Sequence, residues 1–131
     1  MQSDTTPHNE VIDEVVIACN PNAIPAEMRN QWVENGKQVY AAVLEVQETP
    51  DGYQFRLPSD SSMLLKIANY ISNERLCCAF LHFTLEITPN SGPFWLRLAG
   101  GEGVKAYMRS VFEANSLLRE HVAEAAGFRA A

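Results

Sequence analysis

Three cysteines, Cys19, Cys77 and Cys78, are the residues of this chain best suited to chemistry beyond packing. Thiolates select soft ions, so a site built from them would take zinc, copper(I) or a heavy metal rather than magnesium or calcium. The same residues would also serve a redox response. Glu74, one turn before Cys78, and His82 are the candidates for a fourth ligand position. Neither a Cys-x-x-Cys nor a His-x-x-x-His pattern occurs, so spacing alone does not specify zinc.

In a secreted domain three cysteines would leave one unpaired, whereas in a reducing cytoplasm all three stay free thiols. Adjacent cysteines close a small, strained ring, so a Cys77–Cys78 disulfide is not expected. A nucleophilic arrangement of Cys77, His82 and Glu74 can be written down, but it meets a physical objection. Both cysteines fall at the carboxyl end of a predicted helix, where the macrodipole is negative and opposes a thiolate. Arg75 lies two residues before Cys77 and points elsewhere on a helix. A bound metal deprotonates its thiols regardless, so the dipole weighs more against a nucleophile than against a ligand. No catalytic residue is assigned. The plainest reading is that these cysteines are small apolar fillers at a helix–strand corner.

Positioning them requires the first thiol to meet the other two. Glu14 to Cys19 is a β-branched run ending at Asn20-Pro21-Asn22, which predicts a first strand with Cys19 at its end. A helix follows from about Pro25, with Met28, Trp32, Val39 and Val43 at helical spacing. Gly36 either weakens that helix or ends it. Leu44 to Leu57 predicts a hairpin turning at Thr49-Pro50-Asp51-Gly52, a type I turn with a left-handed residue after it. Ser59 or Asp60 caps a second helix whose buried stripe is Leu64, Ile67, Ala68 and Ile71. One heptad past Ile71 is Cys78, expected to face inward, while Cys77 follows Met63 and Tyr70 on the flank. Strands are predicted at Phe80 to Thr88 and Pro93 to Ala99, joined by Pro89-Asn90-Ser91-Gly92. Gly100-Gly101-Glu102-Gly103 then leads into a helix carrying Val104, Tyr107, Met108, Val111 and Phe112. Its glycines suit an anion cradle in outline, but Glu102 would repel phosphate and no P-loop ending follows, so it reads as the start of a helix. Ser116 to Ala126 extends that helix or packs separately.

The predicted order is β-α-β-β-α-β-β-α, an α+β fold with an antiparallel sheet, helices on one face and a ferredoxin-like first six elements. Residues 14–131 form one domain, and residues 1–13, polar and without an apolar signal core, read as a mobile tail. The face without helices presents Gln54, Arg56, His82, Thr84, Glu86, Trp95 and Arg97. A tryptophan there is the kind of anchor an interface uses. This supplies the alternative function: a non-catalytic interaction domain that binds a second copy or a protein partner through Trp95, Arg97, His82 and Arg56. His8 and His121 read as solvated.

At 131 residues with net charge -6, the chain is long enough for a core and too acidic for nucleic acid or an anionic membrane to be its main partner. No apolar run approaches the roughly 20 residues that span a bilayer. A cytoplasmic location is the expectation.

Several segments together resemble an uncharacterised family of small bacterial proteins marked by a Glu-Arg-x-Cys-Cys-x-Phe-x-x-Phe core. They are Glu74-Arg75-Leu76-Cys77-Cys78-Ala79-Phe80-Leu81-His82-Phe83, Gly92-Pro93-Phe94-Trp95-Leu96-Arg97-Leu98 and Gly103-Val104-Lys105. Ile17-Ala18-Cys19 and Pro50-Asp51-Gly52-Tyr53 extend the likeness over most of residues 17 to 112. Ala79 stands where that family commonly has proline, and the segment after Phe112 is longer. The resemblance implies no established activity.

Overall fold

A computed structural model provides the structure; it describes residues 17–130, with side chains described through Ala126. Two short 3-10 turns, Pro21–Ala23 and Ala26–Met28, lead into α1 (Arg29–Ala41). A hairpin of β1 (Glu45–Thr49) and β2 (Gly52–Leu57) follows, then α2 (Ser61–Cys77). A second hairpin, β3 (His82–Ile87) and β4 (Phe94–Ala99), precedes α3 (Val104–Ala114) and α4 (Arg119–Ala130). The four strands form one antiparallel sheet in the order β1-β2-β4-β3.

Alternation decides which side of the sheet is covered. Val46, Tyr53, Phe55, Leu57, Phe94, Leu96 and Leu98 share one face, and all four helices add residues to the same core, among them Val39, Ile67, Phe112 and Val122. Each such side chain contributes about 1.5–3 kcal/mol of transfer free energy. The aromatic rings meet edge to face, Phe55 with Phe112 at 5.3 Å and Tyr40 with Tyr70 at 5.5 Å.

The α+β class with an antiparallel sheet agrees with the pattern read from the sequence. The leading strand does not form over residues 17–19, where the chain is irregular; residues 14–16 and the expected tail lie outside the described residues. Ile17 packs against the core instead of pairing with a strand. The β-branched run is therefore used for burial, and the ferredoxin-like order is not reproduced among the described residues.

Other local features have identifiable causes. Asp60 caps α2 by accepting from the Met63 amide at 2.9 Å. Gly36 does not end α1: it is buried inside it, and a Cβ there would sit 2.9 Å from the Tyr70 ring, so its missing side chain lets α1 and α2 approach. Gly52 is required for packing rather than for a left-handed backbone, because a Cβ would collide with the carbonyl oxygen of Leu98. The second hairpin turns through Asn90 and Ser91, both left-handed at φ 60° and 57°.

The first hairpin is tied to α3 by a buried carboxylate. Glu48 pairs with Lys105 at 3.2 Å and Arg109 at 2.9 Å, and Arg109 also donates to the Tyr53 hydroxyl at 3.1 Å. Leu118 precedes α4 and is fully buried, so the terminal segment packs as a separate helix beside β1.

Candidate thiol site

The site forms where α2 runs out. Cys77 is its last helical residue, and Cys78 leaves helical geometry at φ -111°, ψ 69° while its amide still bonds the Glu74 carbonyl at 2.8 Å. Helical phase therefore stops applying between the two cysteines. Cys78 is buried, in line with the inward position expected for it; the flank position expected for Cys77 is not observed, because Cys77 shares the buried face of α2 with Ile67, Tyr70 and Asn73. Both cysteines sit in a small cluster with Ile24 bordered by Met28, Trp32, Leu76, Phe80 and Leu81.

The irregular segment brings Cys19 to this corner. The Asn20 amide donates to the Cys77 carbonyl at 2.9 Å, satisfying one of the open acceptors at the helix end. Arg29 secures the following turn by donating to the Ile24 carbonyl at 3.0 Å. The three thiols are free, and their sulfur atoms all lie within 4.8 Å of one another. Cys19 is exposed, with its Sγ 3.0 Å from Cys78 Sγ and 3.3 Å from the Tyr107 hydroxyl.

A hydrogen-bonded chain runs inward from there. Cys78 Sγ donates to Glu74 Oε2 at 3.4 Å, and Trp32 Nε1 donates to Glu74 Oε1 at 2.8 Å. Tyr70 also bonds this carboxylate, and its hydroxyl lies 2.9 Å from that of Tyr40. The Tyr107 ring is held edge-on by Phe80 at 5.5 Å.

Burial and the local field favour the protonated form of the two buried thiols. Burial, then the neighbouring Cys19 and Glu74, push the Cys77 thiol up to about 11. Burial and the Glu74 carboxylate raise Cys78 further. Burial also raises Glu74, against the bonds from Trp32, Cys78 and Tyr70. The bond to Cys19, with burial, moves Tyr107 up to about 12. No cation appears among the polar contacts of the three thiols within the described residues. The negative end of the α2 macrodipole adds to the same field. A resting thiolate nucleophile at Cys77 or Cys78 is therefore disfavoured, whereas a ligand that displaces protons meets three convergent sulfurs.

Of the residues singled out in the sequence, Cys19, Cys77, Cys78 and Glu74 come together. His82 does not join them: it opens β3 on the uncovered face of the sheet, near Thr84 and Arg97. Trp32, Tyr70 and Tyr107 belong to the site but occupy helical core spacing, which gives no signal that separates them from packing residues. Arg56, Trp95 and Arg97 share the uncovered face with His82, in a polar ladder where Arg56 pairs with Glu45 at 2.9 Å and Arg97 donates to Gln54 at 3.2 Å. The Gly100–Gly103 loop starts α3, with Gly103 left-handed at φ 83°. Among the described residues no helix is long and apolar enough to cross a membrane.

Compared with known proteins, the chain matches no family model, no curated protein and no solved structure.

Proposed function

We propose that this protein is a small thiol-based receptor for soft ions that uses Cys19, Cys77 and Cys78 as ligands. The observation that carries the reading is the convergence of three sulfurs within 4.8 Å. A thiophilic ion sits about 2.3 Å from each sulfur it binds, so three sulfurs on one ion stand at most roughly 4.0 Å apart. The site needs only small adjustment to meet that limit. Glu74 is the remaining oxygen donor at hand, since it already touches Cys78. The family likeness of the Glu74-Arg75-Leu76-Cys77-Cys78 stretch is compatible with this role but supplies none of it. Titrating the three thiols with and without zinc, copper(I) or mercury(II) tests the reading. Protection of all three together is expected, lost together on Cys78→Ser; identical titrations with and without ions would end it.

A second reading follows from Trp95, which is half-buried on the uncovered polar face beside Arg56 and Glu86. In that reading the face docks a second copy or a protein partner. Sedimentation of the wild type and of Trp95→Ala separates the two functions, because only docking predicts an assembly that the tryptophan change disrupts and the cysteine changes leave intact.

A further inference from the structure

The surroundings of the thiols narrow the kind of ion they suit. We propose that the corner formed by Cys19, Cys77 and Cys78 binds a trivalent arsenic or antimony hydroxide, such as arsenous acid, as a neutral centre capped on three sulfurs. This rests on the reading of the corner as a thiol receptor and names its ligand.

Two features of the corner lead there. The first is ligand number. Three sulfurs converge, His82 lies on the far side of the sheet, and both Glu74 oxygens already accept bonds, from Trp32 and from Cys78. Any ion that deprotonates Cys78 ends that thiol's bond to Glu74, but a tetrahedral ion would then still need Glu74 or solvent as its fourth ligand. A trivalent arsenic or antimony centre carries a lone pair in that position and is complete with three.

The second feature is charge. A divalent cation on three thiolates leaves a net charge of minus one, and copper(I) leaves minus two. Cys77 and Cys78 are both buried, with a carboxylate touching Cys78 and the helix carboxyl end behind them. The groups facing the sulfurs are Glu74 and Tyr70 of α2, Trp32 and Tyr40 of α1, Tyr107 of α3 and the Asn20–Ile24 segment. None is cationic, so the part of an anionic complex held by the buried Cys77 and Cys78 would lack compensation, which is costly. Arsenous acid avoids this. Three S–H and three As–O bonds break, three As–S bonds form, and each thiol proton leaves with a hydroxide as water. Arsenic stays trivalent and no net charge is created.

The experiment adds sodium arsenite to the full chain, reduced with a phosphine rather than a dithiol. One arsenic per chain should bind, with a mass gain of one arsenic atom less three hydrogens and protection of all three cysteines from maleimide. Arsenite should protect at lower concentration than zinc or cadmium. Cys19→Ser, Cys77→Ser and Cys78→Ser should each weaken arsenite binding by more than ~100-fold, beyond the 10–100-fold typical when only a supporting residue changes. Cys19 is exposed, so its variant decides the matter even where a buried-cysteine variant fails to fold. An adduct that retains a hydroxide, or a Cys19→Ser protein that binds arsenite as well as the wild type, would overturn three-sulfur capping. Protection of all three thiols by cadmium but not arsenite would overturn the arsenic assignment and leave the receptor reading intact. Protection by no ion would overturn both.

Discussion

The sulfur atoms of Cys19 and Cys78 lie 3.0 Å apart although 59 positions separate them in the chain. One is exposed and the other buried, so the contact joins surface chemistry to the end of the longest helix.

Thiol reactivity should be strongly unequal. Cys19 is exposed, while Cys77 and Cys78 are buried with raised thiol values. Stopped-flow reaction with an aromatic disulfide reagent should show one fast thiol and two slow ones that speed up in denaturant. Three equal rates would contradict the described corner.

Alkaline pH should destabilise the fold through the same groups. The folded chain keeps the Cys77 proton up to about 11, against an ordinary value of 9.0. A raised value means the folded state binds the proton more tightly, so this stability is full below 9.0 and is lost as pH climbs toward 11. The melting temperature should fall across that window. Cys77→Ala should flatten the fall.

Gly36→Ala should lower stability despite the better helix propensity of alanine. The propensity gain is about 1 kcal/mol, whereas forcing a methyl against a packed ring typically costs about 1–3 kcal/mol. Tyr70 is buried and its hydroxyl is bonded to Tyr40, so the ring has little room to yield. A net loss of about 1 kcal/mol is expected by denaturant unfolding.

Ser91→Gly should act in the opposite direction. Ser91 holds a left-handed backbone that costs a residue with a Cβ about 1–2 kcal/mol. Allowing for the greater freedom of glycine in the unfolded chain, a gain of about 0.5–1 kcal/mol is expected as a raised melting temperature.

Glu48→Ala should be among the more damaging changes away from the thiols. It would leave Lys105 and Arg109 facing a buried gap between the first hairpin and α3. Removing one partner of a buried pair costs about 3–5 kcal/mol. Both cations are partly exposed and can turn to water, so a loss of about 1–3 kcal/mol is expected by calorimetry.

The strands were legible where turn chemistry and alternation agreed. Pro50-Asp51-Gly52 between Val46 and Tyr53, Phe55 and Leu57 marks a hairpin without ambiguity, and the hairpin forms. Elsewhere tertiary contacts overrode the local pattern. Ile17-Ala18-Cys19 reads as strand, yet its main chain goes to the end of α2 through Asn20 and Cys77. Cys78 is buried as expected, whereas Cys77 is not on the flank, because the buried face of α2 runs through Ile67, Tyr70, Asn73 and Cys77 and not along the stripe read from the aliphatic residues. Trp32 and Tyr107 were invisible as site residues because an aromatic at core spacing looks the same whether it packs or donates a hydrogen bond.

Whatever ligand joins Cys19 to Cys77 and Cys78 would also tie a knot in the chain. The ring so closed contains α1, both strands of the first hairpin and α2. Restricting a loop of that size in the unfolded state is worth on the order of 4 kcal/mol. Occupied molecules would thus resist proteases far longer than vacant ones, and the amount of chain surviving digestion would itself register the ligand.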